Sequence, residues 1–165
     1  MPFDYEANAG SVRNVLNAHN TTTATPDLSS GLTTRVQSVF INDPDVAAIR
    51  WNDLPAVYIR IQEADEEAAS LGVTGPANYR KTKNAVYELI GLYARDGMHT
   101  ALDTHLTEVY RFAENLEGVF QQELTLSGTA LWCHPANTNF GAFQLGDGTR
   151  IRGFVTRLTA RYHFR

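Results

Sequence analysis

The strongest pattern in the chain is an apolar stripe in its second half, with the spacing of one helix face. Six apolar residues recur at intervals of four, three, four, three and four positions. They are Leu102, Leu106, Val109, Ala113, Leu116 and Phe120. Thr100 and Asp103 resemble a capping box at its start. The pattern therefore predicts a helix of about five turns whose stripe, including Leu106 and Leu116, is buried against a sheet or a partner helix.

A shorter amphipathic helix is predicted over residues 4–19. Asp4 is available as its N-terminal cap, because a carboxylate can accept the free backbone N–H groups of a first turn. The apolar positions of this segment are Tyr5, Ala9, Val12, Val15 and Leu16. Residues 20–31 collect Thr, Ser, Pro and Gly, a composition that favours a loop.

Three strands are predicted between the helices. Residues 32–41 are rich in Thr, Val and Phe, which favour strands. Pro55 introduces a second strand with Val57, Ile59 and Ile61 on one face. Residues 81–94 are apolar on both faces from position 85 onward, which is typical of a central strand.

Two more strands are predicted after the long helix, over residues 124–134 and 151–165. The last strand has an apolar face and a basic face, because successive side chains of a strand point in opposite directions. The apolar face carries Phe154, Leu158, Ala160, Tyr162 and Phe164. The basic face carries Arg157, Arg161, His163 and Arg165. It is a candidate surface that lines a channel or meets an acidic neighbour, and a solvated outer face is the alternative.

These elements predict a single α+β domain over residues 1–165, in the order α-β-β-β-α-β-β. We expect a mixed or antiparallel sheet of about five strands, with the long helix packed across it and the short helix at the N-terminus. Two long polar segments, near 62–80 and 135–150, contain Gly and Pro and are predicted to be surface arms.

Composition favours an ordinary soluble domain. The hydrophobic fraction is 43% and the net charge is −4, which is too mild to indicate nucleic acid or a membrane surface as a partner. No run of about 18 apolar residues is present, so no membrane span is predicted. Cys133 is the only cysteine, which excludes a disulfide within the chain.

Candidate catalytic groups are few and poorly spaced. His99, His105 and Glu108 lack the separation of four residues that places two histidines on one helix face for zinc. Cys133 and His134 are adjacent in a predicted strand and therefore point to opposite faces, whereas a nucleophile needs its base within hydrogen-bond reach. We expect no enzyme activity, no cofactor and no metal site.

Other polar clusters also favour structural roles. The acidic run lacks the glycine and terminal glutamate of a calcium loop, so a solvated charge cluster is the simpler interpretation. It consists of Glu63, Asp65, Glu66 and Glu67. The glycine pairs fit no phosphate-binding turn. They are Gly72 with Gly75 and Gly146 with Gly148. Trp51 and Trp132 are candidate core or interface anchors.

Three segments of the sequence resemble the tail terminator (tail completion) proteins of long-tailed bacteriophages. Residues 114–130 contain ENLE followed by FQQELTLSGTA, residues 159–165 read TARYHFR, and residues 54–59 read LPAVYI. The resemblance extends to the element order over nearly the whole chain. It implies a virion protein without catalytic residues, made in the host cytoplasm, that forms a hexameric ring capping the tail tube.

The resemblance also implies partners. They are other copies of the chain, the tail tube protein, the head connector or stopper protein and, transiently, genomic DNA in the channel. Three alternatives stay open: another neck component such as a connector or stopper, a small non-viral α+β binding module, or an enzyme that uses Cys133 or the histidines.

Overall fold

Two helices and a five-stranded mixed sheet make up the described part of the chain. The computed structural model describes residues 3–42, 45, 48–69, 80–94, 106–146 and 148–164. The elements are α1 (Tyr5–Ala18), β1 (Ser38–Phe40), a 3-10 turn (Trp51–Asp53), β2 (Ala56–Ala69), β3 (Arg80–Tyr93), α2 (Leu106–Gln122), β4 (Trp132–Gln144) and β5 (Arg150–Phe164). This order confirms the predicted α+β class.

The strands lie in the order β1-β2-β3-β5-β4. β1 is parallel to β2, and the other neighbours are antiparallel. β3 occupies the centre and is buried on both faces from Ala85 to Tyr93 apart from Glu88, which confirms the prediction for that segment. β1 is much shorter than the predicted strand over 32–41, because only residues 38–40 pair with β2.

α1 confirms the predicted N-terminal helix. Oδ1 of Asp4 accepts a hydrogen bond from the backbone N–H of Ala7 at 2.9 Å, as expected of a cap. Four of its five predicted apolar positions are buried, and Tyr5 is the exception at 44% exposed. The buried face packs on β1 and β2.

α2 packs mainly on β4 and β5, on the same side of the sheet as α1. Its predicted stripe is buried at Val109, Ala113, Leu116 and Phe120, whereas Leu106 in the first turn is only partly buried. The predicted start of the helix, with its capping residues and Leu102, lies outside the described residues.

The prediction of a polar arm over 62–80 is wrong for residues 62–69 and for residue 80. β2 continues to Ala69 and pairs with β3 from Glu63↔Val86 to Ala69↔Arg80, after a bulge between Ile61 and Glu63. The polar composition of these residues favoured a loop, but a strand whose partner supplies its hydrogen bonds does not need an apolar sequence. Residues 70–79 lie outside the described part, including Gly72 and Gly75.

The strand predicted over 124–134 is confirmed only for residues 132–134, and the polar arm predicted over 135–150 is wrong for residues 135–144, because the strand starts and ends later. Residues 124–131 form a turn, with positive φ at Leu126, Ser127 and Gly128, and β4 covers 132–144. The strand accommodates Pro135 because it is an edge strand, where a missing N–H on the outer side breaks no pairing. Only residues 145–149 connect β4 to β5.

Candidate assembly surface

The sheet has one face covered by the helices and one open face, and successive side chains of β5 point to them in turn. Alternate residues toward the helices are buried: Phe154, Thr156, Leu158, Ala160 and Tyr162. On the opposite face Arg157 and Arg161 are half-buried and His163 is exposed. The predicted division of this strand into an apolar and a basic face is therefore confirmed for residues 154–163. Arg165 lies outside the described residues.

The arginines of the open face have partners on neighbouring strands. Nη2 of Arg157 lies 2.6 Å from Oε1 of Glu63 on β2, across the central strand. Arg60 on β2 pairs with Glu88 on β3, which stands beside Arg157 in register. The open face therefore carries alternating positive and negative groups rather than a bare basic strip.

Arg161 also contacts a neighbouring strand, because its Nη2 donates a hydrogen bond to Oγ1 of Thr82 at 3.1 Å. Thr82 itself is buried, so this contact holds the guanidinium close to the sheet surface. His163 is placed opposite Thr82 in the register of β3 and β5.

A shallow depression of about 560 Å³ lies on the open face between two bulges. One bulge falls in β2 between Ile61 and Glu63, and the other falls in β4 between Ala136 and Asn139. The lining residues are Gln62, Glu88, Asn137, Thr138, Asn139, Val155 and Arg157. The lining is therefore formed mainly by amide, hydroxyl and charged groups, and the two bulges redirect side chains from the regular pleat at its borders.

Exposed aromatic side chains follow the edge strand. Phe140 of β4 is 48% exposed and packs edge-on against Tyr110 of α2, with 4.7 Å between ring centroids. Trp132 at the start of β4 is also exposed. Of these, only Trp132 was a predicted anchor. Phe140 was missed because the surrounding segment was predicted to be a loop.

Cys133 and His134 are not brought together. The Cys133 thiol is buried on the helix side, and its Sγ donates to the backbone carbonyl of Glu123 at 3.2 Å. Burial raises the pKa of this thiol to about 11, so it is rarely ionised near neutral pH. His134 is exposed.

The histidine and acidic candidates also give no cluster among the described residues. His99 and His105 lie outside this part, and Glu108 accepts hydrogen bonds from Tyr93 and Thr33. Glu63 and Asp65 are exposed positions of β2. The described ranges contain no group of three or more His, Cys, Asp or Glu residues arranged to hold a metal ion.

Comparison with known proteins gives no family assignment: no protein-family model matches the chain, and no curated protein matches it. Within the described residues, neither helix is long and apolar enough to cross a membrane.

Proposed function

We propose that this chain is a structural virion protein, which assembles into a ring that caps a phage tail tube and joins the tail to the head connector. The proposal starts from the resemblance of residues 54–59, 114–130 and 159–165 to tail terminator proteins. The element order of the structure is the order that this resemblance implies. In this role the chain binds copies of itself, the tail tube protein and the connector or stopper.

One structural observation supports the ring most directly: the two flanks of the sheet differ. The β4 flank carries exposed aromatic side chains, including Phe140. The β2 flank carries exposed Glu63 and Asp65. A closed ring needs heterologous contacts, in which one patch meets a different patch of the next copy. The chain therefore has two unlike patches, one along each lateral flank of the sheet.

The open face supplies a surface for the channel or for an acidic neighbour. Arg157 is paired with Glu63, but both side chains are about half exposed. Exposed ion pairs of this kind contribute only about 0–1 kcal/mol. A phosphate of transiting DNA, or a carboxylate of a neighbouring protein, can therefore compete with Glu63 for the guanidinium.

Light scattering during size-exclusion chromatography tests the ring. The expected result is a particle of six 18.3 kDa chains. A monomer at all accessible concentrations would contradict the proposal and favour a small binding module.

A density map of the neck of the particle tests the position of the ring. Density for this chain between the tail tube and the connector supports the terminator role. Density directly on the portal or at its exit identifies a connector or stopper instead.

A further inference from the structure

The second half of β4 is an unprotected sheet edge. Natural edges are blunted by charges, prolines or bulges, because a row of free N–H and C=O groups invites another strand. The first half of β4 has such protection, since it contains Pro135 and the bulge between Ala136 and Asn139. Residues 139–144, with the sequence NFGAFQ, contain no charge and no proline. No described strand pairs with their outer side.

An apolar side chain accompanies this edge. Phe140 is 48% exposed although it contacts Tyr110 and lies 6.2 Å, centroid to centroid, from the buried ring of Phe154. Tyr110 is itself 42% exposed. An exposed and uncharged edge with aromatic groups promotes aggregation unless another chain covers it. The edge therefore has the properties of a surface that is covered in an assembly.

The other edge of the sheet, along β2, is also unpaired over a similar length. β1 covers only residues 56–58 of β2, and no described strand pairs with the outer side of β2 beyond them. Residues 63–69 extend this edge after the bulge. They are long enough for six cross-strand pairs with residues 139–144, a contact about 20 Å long.

Charge makes these two edges complementary. The β2 segment has the sequence EADEEAA, which contains four carboxylates and no positive charge. Beside the β4 edge, Arg150 and Arg152 of β5 stand in register with Gln144 and Ala142. The Nε atom of Arg152 is buried without a hydrogen-bond partner. An acidic strand laid against β4 would supply carboxylates to this basic flank.

Strand direction also fits a ring. β3 is antiparallel to β2, β5 is antiparallel to β3, and β4 is antiparallel to β5. β4 therefore runs opposite to β2. Rotation about the ring axis does not reverse the direction of a strand along that axis. β4 of one copy therefore meets β2 of the next copy as an antiparallel neighbour.

We infer that residues 139–144 of β4 pair, as antiparallel strands, with residues 63–69 of β2 in a second copy of this chain. Repetition of this contact joins the sheets of successive copies around the ring. The inference rests on the proposed function, because it describes how the ring subunits meet.

Cysteine cross-linking tests the contact. We would prepare Ala64→Cys and Ala142→Cys separately, mix them, and treat the mixture with an oxidant or a short bismaleimide. Both positions lie on the helix-covered face of the sheet, as the register with Ala160 and Arg152 of β5 shows. Facing positions on paired strands are close enough for a disulfide, and thiols held together react at a millimolar effective concentration, so heterodimers should exceed the control by at least about tenfold. The control is Glu114→Cys, an exposed position on α2, mixed with Ala64→Cys.

Further variants define the register and the closure of the ring. Gln144→Cys, also exposed, samples a shift of two residues along β4. The double variant Ala64→Cys with Ala142→Cys should give a ladder of covalent oligomers that ends at the closed ring. Wild type should remain uncross-linked, because its Cys133 thiol is buried. Each variant must first show the wild-type mass by light scattering.

The outcomes separate the inference from the proposed function. Cross-linking of Ala142→Cys with itself would identify a symmetric β4–β4 contact and overturn the inference. A wild-type ring whose Ala64→Cys mixtures with either β4 variant stay at the control level would also overturn it, while the proposed function stands. A monomeric wild type would contradict both the inferred strand pairing and the proposed function.

Discussion

Replacement of Gly91 by alanine should destabilise the protein, because the ring of Phe154 lies directly over this position. A Cβ atom at Gly91 would lie 2.3, 2.4 and 2.9 Å from three ring carbons of Phe154. Ordinary contacts of a Cβ atom begin near 3.4 Å, so the ring or the strand must move by about 1 Å. The ring is fully buried and packs edge-on against Phe112 at 5.1 Å, which limits its movement.

The expected loss is about 1–3 kcal/mol in the free energy of unfolding, the usual range for overpacking a filled core. Urea denaturation measures it, and the melting temperature should fall by about 2–4 °C for each kcal/mol in a chain of this length. Gly141→Ala is the matched control, because a Cβ atom there meets nothing within 4 Å. This control should remain within about 0.5 kcal/mol of wild type.

A double-mutant cycle identifies the cause of the loss. Phe154→Leu replaces the ring by a smaller side chain and should destabilise the otherwise wild-type protein. In the Gly91→Ala background it should recover part of the stability that Gly91→Ala loses. The expected coupling is about 0.5–3 kcal/mol. Wild-type stability of Gly91→Ala, or strictly additive effects in the cycle, would refute the packing argument.

Three other predictions follow from buried and charged groups. Leu116→Ala should cost about 2–5 kcal/mol in urea denaturation, because Leu116 is fully buried; wild-type stability would contradict this. The pKa of Cys133 rises from 9.0 to about 11 on folding, so the stability due to its neutral thiol is present below pH 9 and lost toward pH 11. Alkaline denaturation should show a smaller loss over this range in Cys133→Ala. Arg157→Glu with Arg161→Glu should leave folding intact but impair head joining in a particle assembly assay. Arg13→Glu on the exposed face of α1 is its control, and equal effects would refute a specific role.

Local sequence patterns determined the helices and the central strand. The stripe containing Val109 and Leu116 predicts one buried helix face because its spacing matches the helical repeat wherever the helix packs. Asp4 predicts a helix start because its carboxylate caps its own first turn. The apolar residues of β3 on both faces predict a central strand because only a central strand is covered on both sides.

Polar strand segments depended on their partners. The acidic second half of β2 is extended because β3 supplies its hydrogen bonds, and its composition alone favours a loop. β4 passes through Pro135 and Gly141 because it lies at an edge, and edge position is a property of the sheet. Neither condition is present in the local sequence.

The candidate surface divides in the same way. Alternation along β5 placed Arg157, Arg161 and His163 on one face, because a strand reverses its side-chain direction at every residue. Only the tertiary structure brought Glu63 to 2.6 Å from Arg157, which lies 94 positions later in the chain. The unpaired edges of β2 and β4 likewise follow from the order of strands in the sheet, because a strand is at an edge only when no other strand pairs with its outer side.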